Sequence, residues 1–123
     1  MIKTKGFLHF TISVDDLARA TAFYRDVLGC EILNTNKIMT FMRSGREKFV
    51  LTKMDPHVPP NPPGPLSPET VRFHHAFRVE PAAFDRVLAH LRERAIPFLD
   101  GPARSVFIHD PEGNSIKLVS AQQ

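Results

Sequence analysis

The chain repeats itself, and no other feature limits its possible folds as strongly. His9 and His74 stand 65 residues apart, as do Ile12 and Phe77, Val14 and Val79, and Asp15 and Glu80. Each pair marks the same passage from a strand into a helix. Later the offset becomes 66, pairing Phe41 with Phe107 and Val50 with Ile116, which sets Lys117 opposite Leu51. A unit of about 60 residues barely buries its own sheet. Two such units are therefore expected to associate.

Each half reads β-α-β-β-β. In the first, Phe7–Val14 alternates as a strand, with Leu8, Phe10, Ile12 and Val14 on one side and His9, Thr11 and Ser13 on the other. Asp15 suits the N-cap of a helix over Asp16–Leu28, which Gly29 ends. Leu17, Ala20, Phe23, Tyr24, Val27 and Leu28 form its apolar stripe. Strands are expected at Cys30–Asn34, Ile38–Arg43 and Lys48–Lys53. In the second half, a strand at Arg72–Val79 precedes a helix opened by Pro81 and striped by Phe84, Val87, Leu88 and Leu91. Short strands near Phe98–Leu99, at Arg104–His109 and at Asn114–Val119 complete it. Asp110-Pro111-Glu112-Gly113 supplies the last tight turn, with Pro and Gly where turn geometry favours them. The domain plan is thus a first module over 1–53, a linker or lid over 54–71, and a second module over 72–123. The middle segment holds seven of the eleven prolines, so it is neither helix nor central strand.

Alternation also sorts the side chains. One face of each sheet takes the helix. The other is left concave, and it is expected to carry His9, Thr11, Ser13, Phe49, Leu51 and Lys53 from the first half. His74, Ala76, Arg78, Ser115 and Lys117 join them from the second. His75 falls on the helix-packed face with Phe73 and Phe77, where a hydrogen-bonded core histidine is expected.

Composition removes other classes. No run of 18 apolar residues exists, so no membrane span is expected. The N-terminus lacks the unbroken apolar segment of a secretory signal, and cytoplasm is the default compartment. One cysteine, Cys30, allows neither an internal disulfide nor a cysteine-based zinc site. The net charge of +3 is spread along the chain, without the basic patch or aromatic stripe of a nucleic-acid binder.

The segments HFTISVDDLARATAFYRDVLG (His9–Gly29), HHAFRV (His74–Val79) and FIHDPEGNSIKLV (Phe107–Val119) resemble the vicinal oxygen chelate superfamily. That group holds glyoxalase I, fosfomycin and bleomycin resistance proteins and extradiol dioxygenases. The resemblance implies an α+β fold, with two βαβββ modules forming an eight-stranded mixed sheet around a cleft, and a homodimer. In metal-dependent relatives a divalent ion sits in that cleft, held from the first and last strands of each module. His9, Leu51, His74 and Lys117 fall on those four positions, and metal-binding members usually carry Glu at the fourth.

The implied ligand set is incomplete. His9 and His74 are candidate metal ligands. Leu51 offers no donor atom, and Lys117 repels a dication. A carboxylate from Glu47, Asp55 or Glu80, or from a substrate, would be needed to complete the set. Phe49 and Leu51 suggest an apolar floor, with Lys53, Arg78 and Lys117 as cations around it, for a small anionic or oxygen-rich ligand. Two readings stay open. One is a binding protein of the bleomycin-resistance type. The other is a divalent-metal-dependent lyase or dioxygenase working through His9 and His74. Lys117 is also a candidate catalytic residue in a metal-free reaction.

Overall fold

The computed structural model describes residues 1–54, 64–71 and 73–121. Residues 55–63 of the expected linker over 54–71, Asp55 among them, fall outside the described residues. The chain divides into two compact units, Met1–Pro60 and Asn61–Gln123.

The first unit runs β1 (Phe10–Val14), α1 (Leu17–Asp26), β2 (Glu31–Thr35), β3 (Met39–Ser44) and β4 (Glu47–Lys53). Its sheet has the order β1-β4-β3-β2, with β1 parallel to β4 and the other pairs antiparallel. The helix starts one residue later than expected. Asp16 rather than Asp15 is the N-cap, and its side chain accepts from the Arg19 amide at 3.0 Å. Gly29 takes φ +67°, the left-handed conformation that lets the chain leave the helix and re-enter as a strand. The core gathers on the side facing α1. There Tyr24 meets Phe49 at a centroid distance of 5.4 Å, and Phe10 stacks on Phe49 at 5.3 Å. Ile12, Val14, Met42 and Leu51 fill the rest of this layer.

The second unit repeats the plan. It runs β5 (His75–Val79), a 3-10 turn at Pro81–Ala83, α2 (Phe84–Glu93), β6 (Leu99–Asp100), β7 (Ser105–His109) and β8 (Ser115–Ser120). The sheet order is β5-β8-β7-β6, with β5 parallel to β8. Phe77, Val106, Ile108, Ile116 and Leu118 are buried on one face, and Phe84 and Leu91 are the buried positions of α2.

Strand pairing therefore gives two four-stranded mixed sheets rather than one of eight strands. The ladders begin at Phe10 and His75, three residues inside the expected starts of these strands. Leu8 and Phe73, expected among the helix-packed residues, precede the ladders and are 85% exposed.

Candidate functional site

The last turn of the second unit positions everything around it. Asp110 is buried, and its Oδ1 accepts from the amides of Glu112 (2.9 Å) and Asn114 (2.8 Å). Its Oδ2 accepts from Asn114 Nδ2 at 2.9 Å. The Asp110 amide donates to the Asn114 carbonyl, and Gly113, at φ +81°, closes the loop onto the Asp110 carbonyl. An aspartate accepting from the backbone ahead of it is a self-contained turn. It fixes the register in which β8 returns beside β7.

That register puts Lys117 opposite Phe107 on β7 and Ala76 on β5. Residues paired across a ladder share a face. One face of this sheet thus carries Ala76 and Arg78 from β5, Ser115, Lys117 and Val119 from β8, and Ser105, Phe107 and His109 from β7. The Lys117 ammonium lies 5.6 Å from the centroid of the Phe107 ring. The His74 ring meets the same phenyl edge-on, at 5.2 Å between centroids. His74, Phe107 and Lys117 form one cluster, and Arg78 is on the same face.

His74 is oriented by its own loop. Its Nδ1 lies 2.8 Å from the Val71 carbonyl. A carbonyl only accepts, so Nδ1 carries a proton, and it is Nε2 that holds the lone pair in the neutral form of the ring. The loop is tied down again where Ser115 Oγ donates to the Thr70 carbonyl at 2.8 Å. A depression of about 490 Å³ opens beside His74, lined by Phe73, His74, His75, Asn114 and Ser115. Burial holds the His75 pKa below the ordinary histidine value, opposed by the nearby Asp110 carboxylate and assisted by His74.

The first unit departs from expectation. Phe49 and Leu51 pair with Phe10 and Ile12, so they lie on the α1 side and are part of the core. They do not floor a pocket on the face of His9, Thr11 and Ser13. The reason is a difference of one residue in turn length. Phe41 pairs with Val50, and its counterpart Phe107 pairs with Lys117. The segment between those strands is one residue longer in the second unit, so the offset grows from 66 to 67. Val50, not Leu51, is the counterpart of Lys117. Because side chains alternate, that single residue exchanges the two faces.

Lys53 moves with this correction. It pairs with Val14 and lines a depression of about 710 Å³ with Asp15, Asp16, Thr21, Thr35 and Lys37, on the helix side of the sheet. At its base the buried Thr40 hydroxyl lies 3.0 Å from those of both Thr21 and Thr35. Lys53 is thus not on the face that carries His9. His9 is exposed just ahead of β1.

The donor set does not match a family-type metal centre. Among the described residues, no group of three or more His, Cys, Asp or Glu side chains is arranged to hold an ion. In the second unit the position expected to carry a carboxylate carries the Lys117 ammonium. Val50, its counterpart in the first, offers no donor atom. Glu47 and Glu80 are exposed. Cys30 is buried near Ser44, and desolvation pushes its thiol up to about 11, where it is neither a ready ligand nor a ready nucleophile.

Sequence reading missed Phe107 as the ring shared by His74 and Lys117. It also missed the tether from Ser115 to Thr70 and the threonine cluster behind α1. The pairing of Phe41 with Phe107 already marked that ring as a position kept in both modules.

The family model of the glyoxalase/bleomycin resistance protein/dioxygenase superfamily matches residues 6–118. The chain is 28% identical over 127 residues to biphenyl-2,3-diol 1,2-dioxygenase 3 of Rhodococcus globerulus, covering 96% of this chain and 64% of that protein. It thus spans just under two thirds of that relative's length. It is 25% identical over 123 residues to the metallothiol transferase FosB of Staphylococcus epidermidis, covering 93% and 82%. Among solved structures, the fosfomycin resistance protein FosX of Listeria monocytogenes, complexed with Mn(II) and sulfate ion, superposes with a TM-score of 0.76 at 17% identity. That match covers 98% of this chain and 93% of the other.

Proposed function

The chain belongs to the glyoxalase/bleomycin resistance protein/dioxygenase superfamily, and we propose that it binds a small oxyanion-bearing molecule on the β5–β8–β7 face of its second module. One observation carries this reading. Lys117 and His74 converge on the buried Phe107 ring, and Arg78 shares their face. Among the described residues neither Arg78 nor Lys117 has an ion-pair partner, whereas Arg25, Arg43 and Arg104 are paired with Asp26, Glu31 and Asp85. Cations without carboxylate partners, beside an aromatic wall, suit an anionic ligand. The Nε2 lone pair of His74 adds an acceptor for a protonated ligand atom.

The test is a titration of 15N-labelled, chelator-treated protein with sulfate, methylphosphonate and glycolate, followed by NMR. Saturable shifts confined to His74, Ala76, Arg78, Phe107 and Ser115–Val119 are expected. Shifts elsewhere, or none at millimolar probe, would remove the reading. Homodimerisation belongs to the same proposal, and sedimentation equilibrium measures it.

A second reading, a divalent-metal-dependent lyase or dioxygenase acting through His9 and His74, draws on the His74 tautomer. A histidine with Nδ1 tied to a carbonyl presents Nε2 in the manner of metal-binding imidazoles. The FosX homologue was crystallised with Mn(II). Turnover of a vicinal-oxygen substrate that disappears in both His9→Ala and His74→Ala would support it; turnover unchanged in either would eliminate it.

A further inference from the structure

We propose that Lys117 takes the place of the metal ion as the fixed positive charge of this site. Oxyanions and divalent cations then compete here instead of binding together. The inference rests on the oxyanion-binding reading above and deepens it.

Three observations carry it. First, the charge is built into the most constrained strand of the sheet. β8 is paired along its length with β5 on one side and β7 on the other. A side chain in that setting is held by its supports before any ligand arrives. Second, the ammonium is held against a buried aromatic face, 5.6 Å from the Phe107 centroid. An ammonium at that distance is attracted to the face of the ring. Third, the paired positions of this face carry no acid. The paired positions Ala76, Arg78, Ser105, Phe107, His109, Ser115, Lys117 and Val119 include no Asp or Glu. Asp110, the buried carboxylate near this sheet, is engaged within its own turn.

A dication arriving at His74 Nε2 would meet two cations of this face, Lys117 and Arg78, and no compensating carboxylate on it. An oxyanion arriving at the same place meets both cations. The sign of the coupling between metal and anion is therefore opposite to that of a site in which the ion itself holds the ligand's oxygens.

The experiment uses the full chain after chelator treatment, in four forms: wild type, Lys117→Arg, Lys117→Met and Lys117→Glu. Methylphosphonate and Zn(II) are titrated separately and together by calorimetry, with circular dichroism confirming the fold of each form. Wild type is expected to bind methylphosphonate without metal and to bind it more weakly when Zn(II) is present. Lys117→Arg should keep binding within a few-fold. Lys117→Met should lose about tenfold or more, the loss expected for one charge-assisted contact. Lys117→Glu should abolish anion binding and bind Zn(II) at least tenfold more tightly than wild type, a gain reversed by adding His74→Ala. Methylphosphonate binding that is unchanged in Lys117→Met, or that Zn(II) does not weaken, would overturn the inference while leaving the oxyanion reading intact, whereas binding that requires Zn(II) would overturn both. Absence of methylphosphonate binding to wild type with and without Zn(II) would overturn both. If Lys117→Glu fails to fold, the Arg and Met forms still decide the outcome.

Discussion

Replacing Asp110 by alanine tests how the last turn sets the register of the candidate site. Asp110 is 4% exposed and receives two backbone amides and one side-chain amide. Hydrogen bonds to a charged group contribute about 1.5–3 kcal/mol each, and they are not additive within one turn. Glu112, Gly113 and Asn114 are only half-buried, so water can reach part of what alanine leaves unpaired. Relief of the carboxylate's own desolvation offsets some of the loss. About 2–4 kcal/mol of destabilisation remains, or roughly 8–16 °C in Tm at about 4 °C per kcal/mol for a chain of this size. Asp110→Asn is the control. Its remaining oxygen keeps the two backbone bonds, and rotation of the Asn114 amide relieves the donor–donor contact, so about 1 kcal/mol is expected. Urea unfolding followed by circular dichroism reads all three proteins, with constant m-values as the condition for comparison. A cost below about 0.5 kcal/mol for Asp110→Ala would refute the role of these bonds.

Three other outcomes follow from the same packing. Leu51→Ala should cost about 2–5 kcal/mol in urea unfolding, because Leu51 is fully buried beneath α1; a near-neutral change would return it to the pocket face. Cys30 should react with a thiol reagent at pH 8 far more slowly in the native protein than in 6 M guanidinium, since its thiol is buried and shifted to about 11, and equal rates would contradict that burial. The His75 pKa is lowered on folding by desolvation, so the unfolded chain binds the proton first. The contribution is fully present above the unfolded value near 6.5 and is lost as pH falls through the lower folded value. Tm should therefore decline below about pH 6.5, and less so in His75→Gln; an identical decline in the two proteins would assign the effect to other groups.

Much of this architecture was legible in the residues. Alternation in Phe10–Val14 and His75–Val79, the helix stripes, and Gly29 and Gly113 gave the β-α-β-β-β plan twice. Those signals are local, with a period set by one element. Pairing between strands is not local, and there the reading slipped. Carrying the offset of 66 past the Asp110 turn assigned Leu51 to the place of Val50. The extra residue of that turn flips every side chain of β4 relative to β8. Phe49, Leu51 and Lys53 then appeared on the His9 face, whereas the structure pairs them with Phe10, Ile12 and Val14 on the other. In the second unit no such count was needed. His74, Arg78 and Lys117 were assigned to one face by alternation, and the registers at Ala76, Phe107 and Lys117 agree. Exposure of Leu8 and Phe73 was not legible, because alternation continues past the residue at which pairing starts.

The most direct test of the oxyanion account follows the Lys117 side-chain resonance while methylphosphonate is added to chelator-treated protein. The account predicts a saturable shift of that resonance without metal, with Ser115 and Phe107 moving along the same binding curve. A Lys117 resonance that stays fixed until a divalent ion is supplied would contradict it.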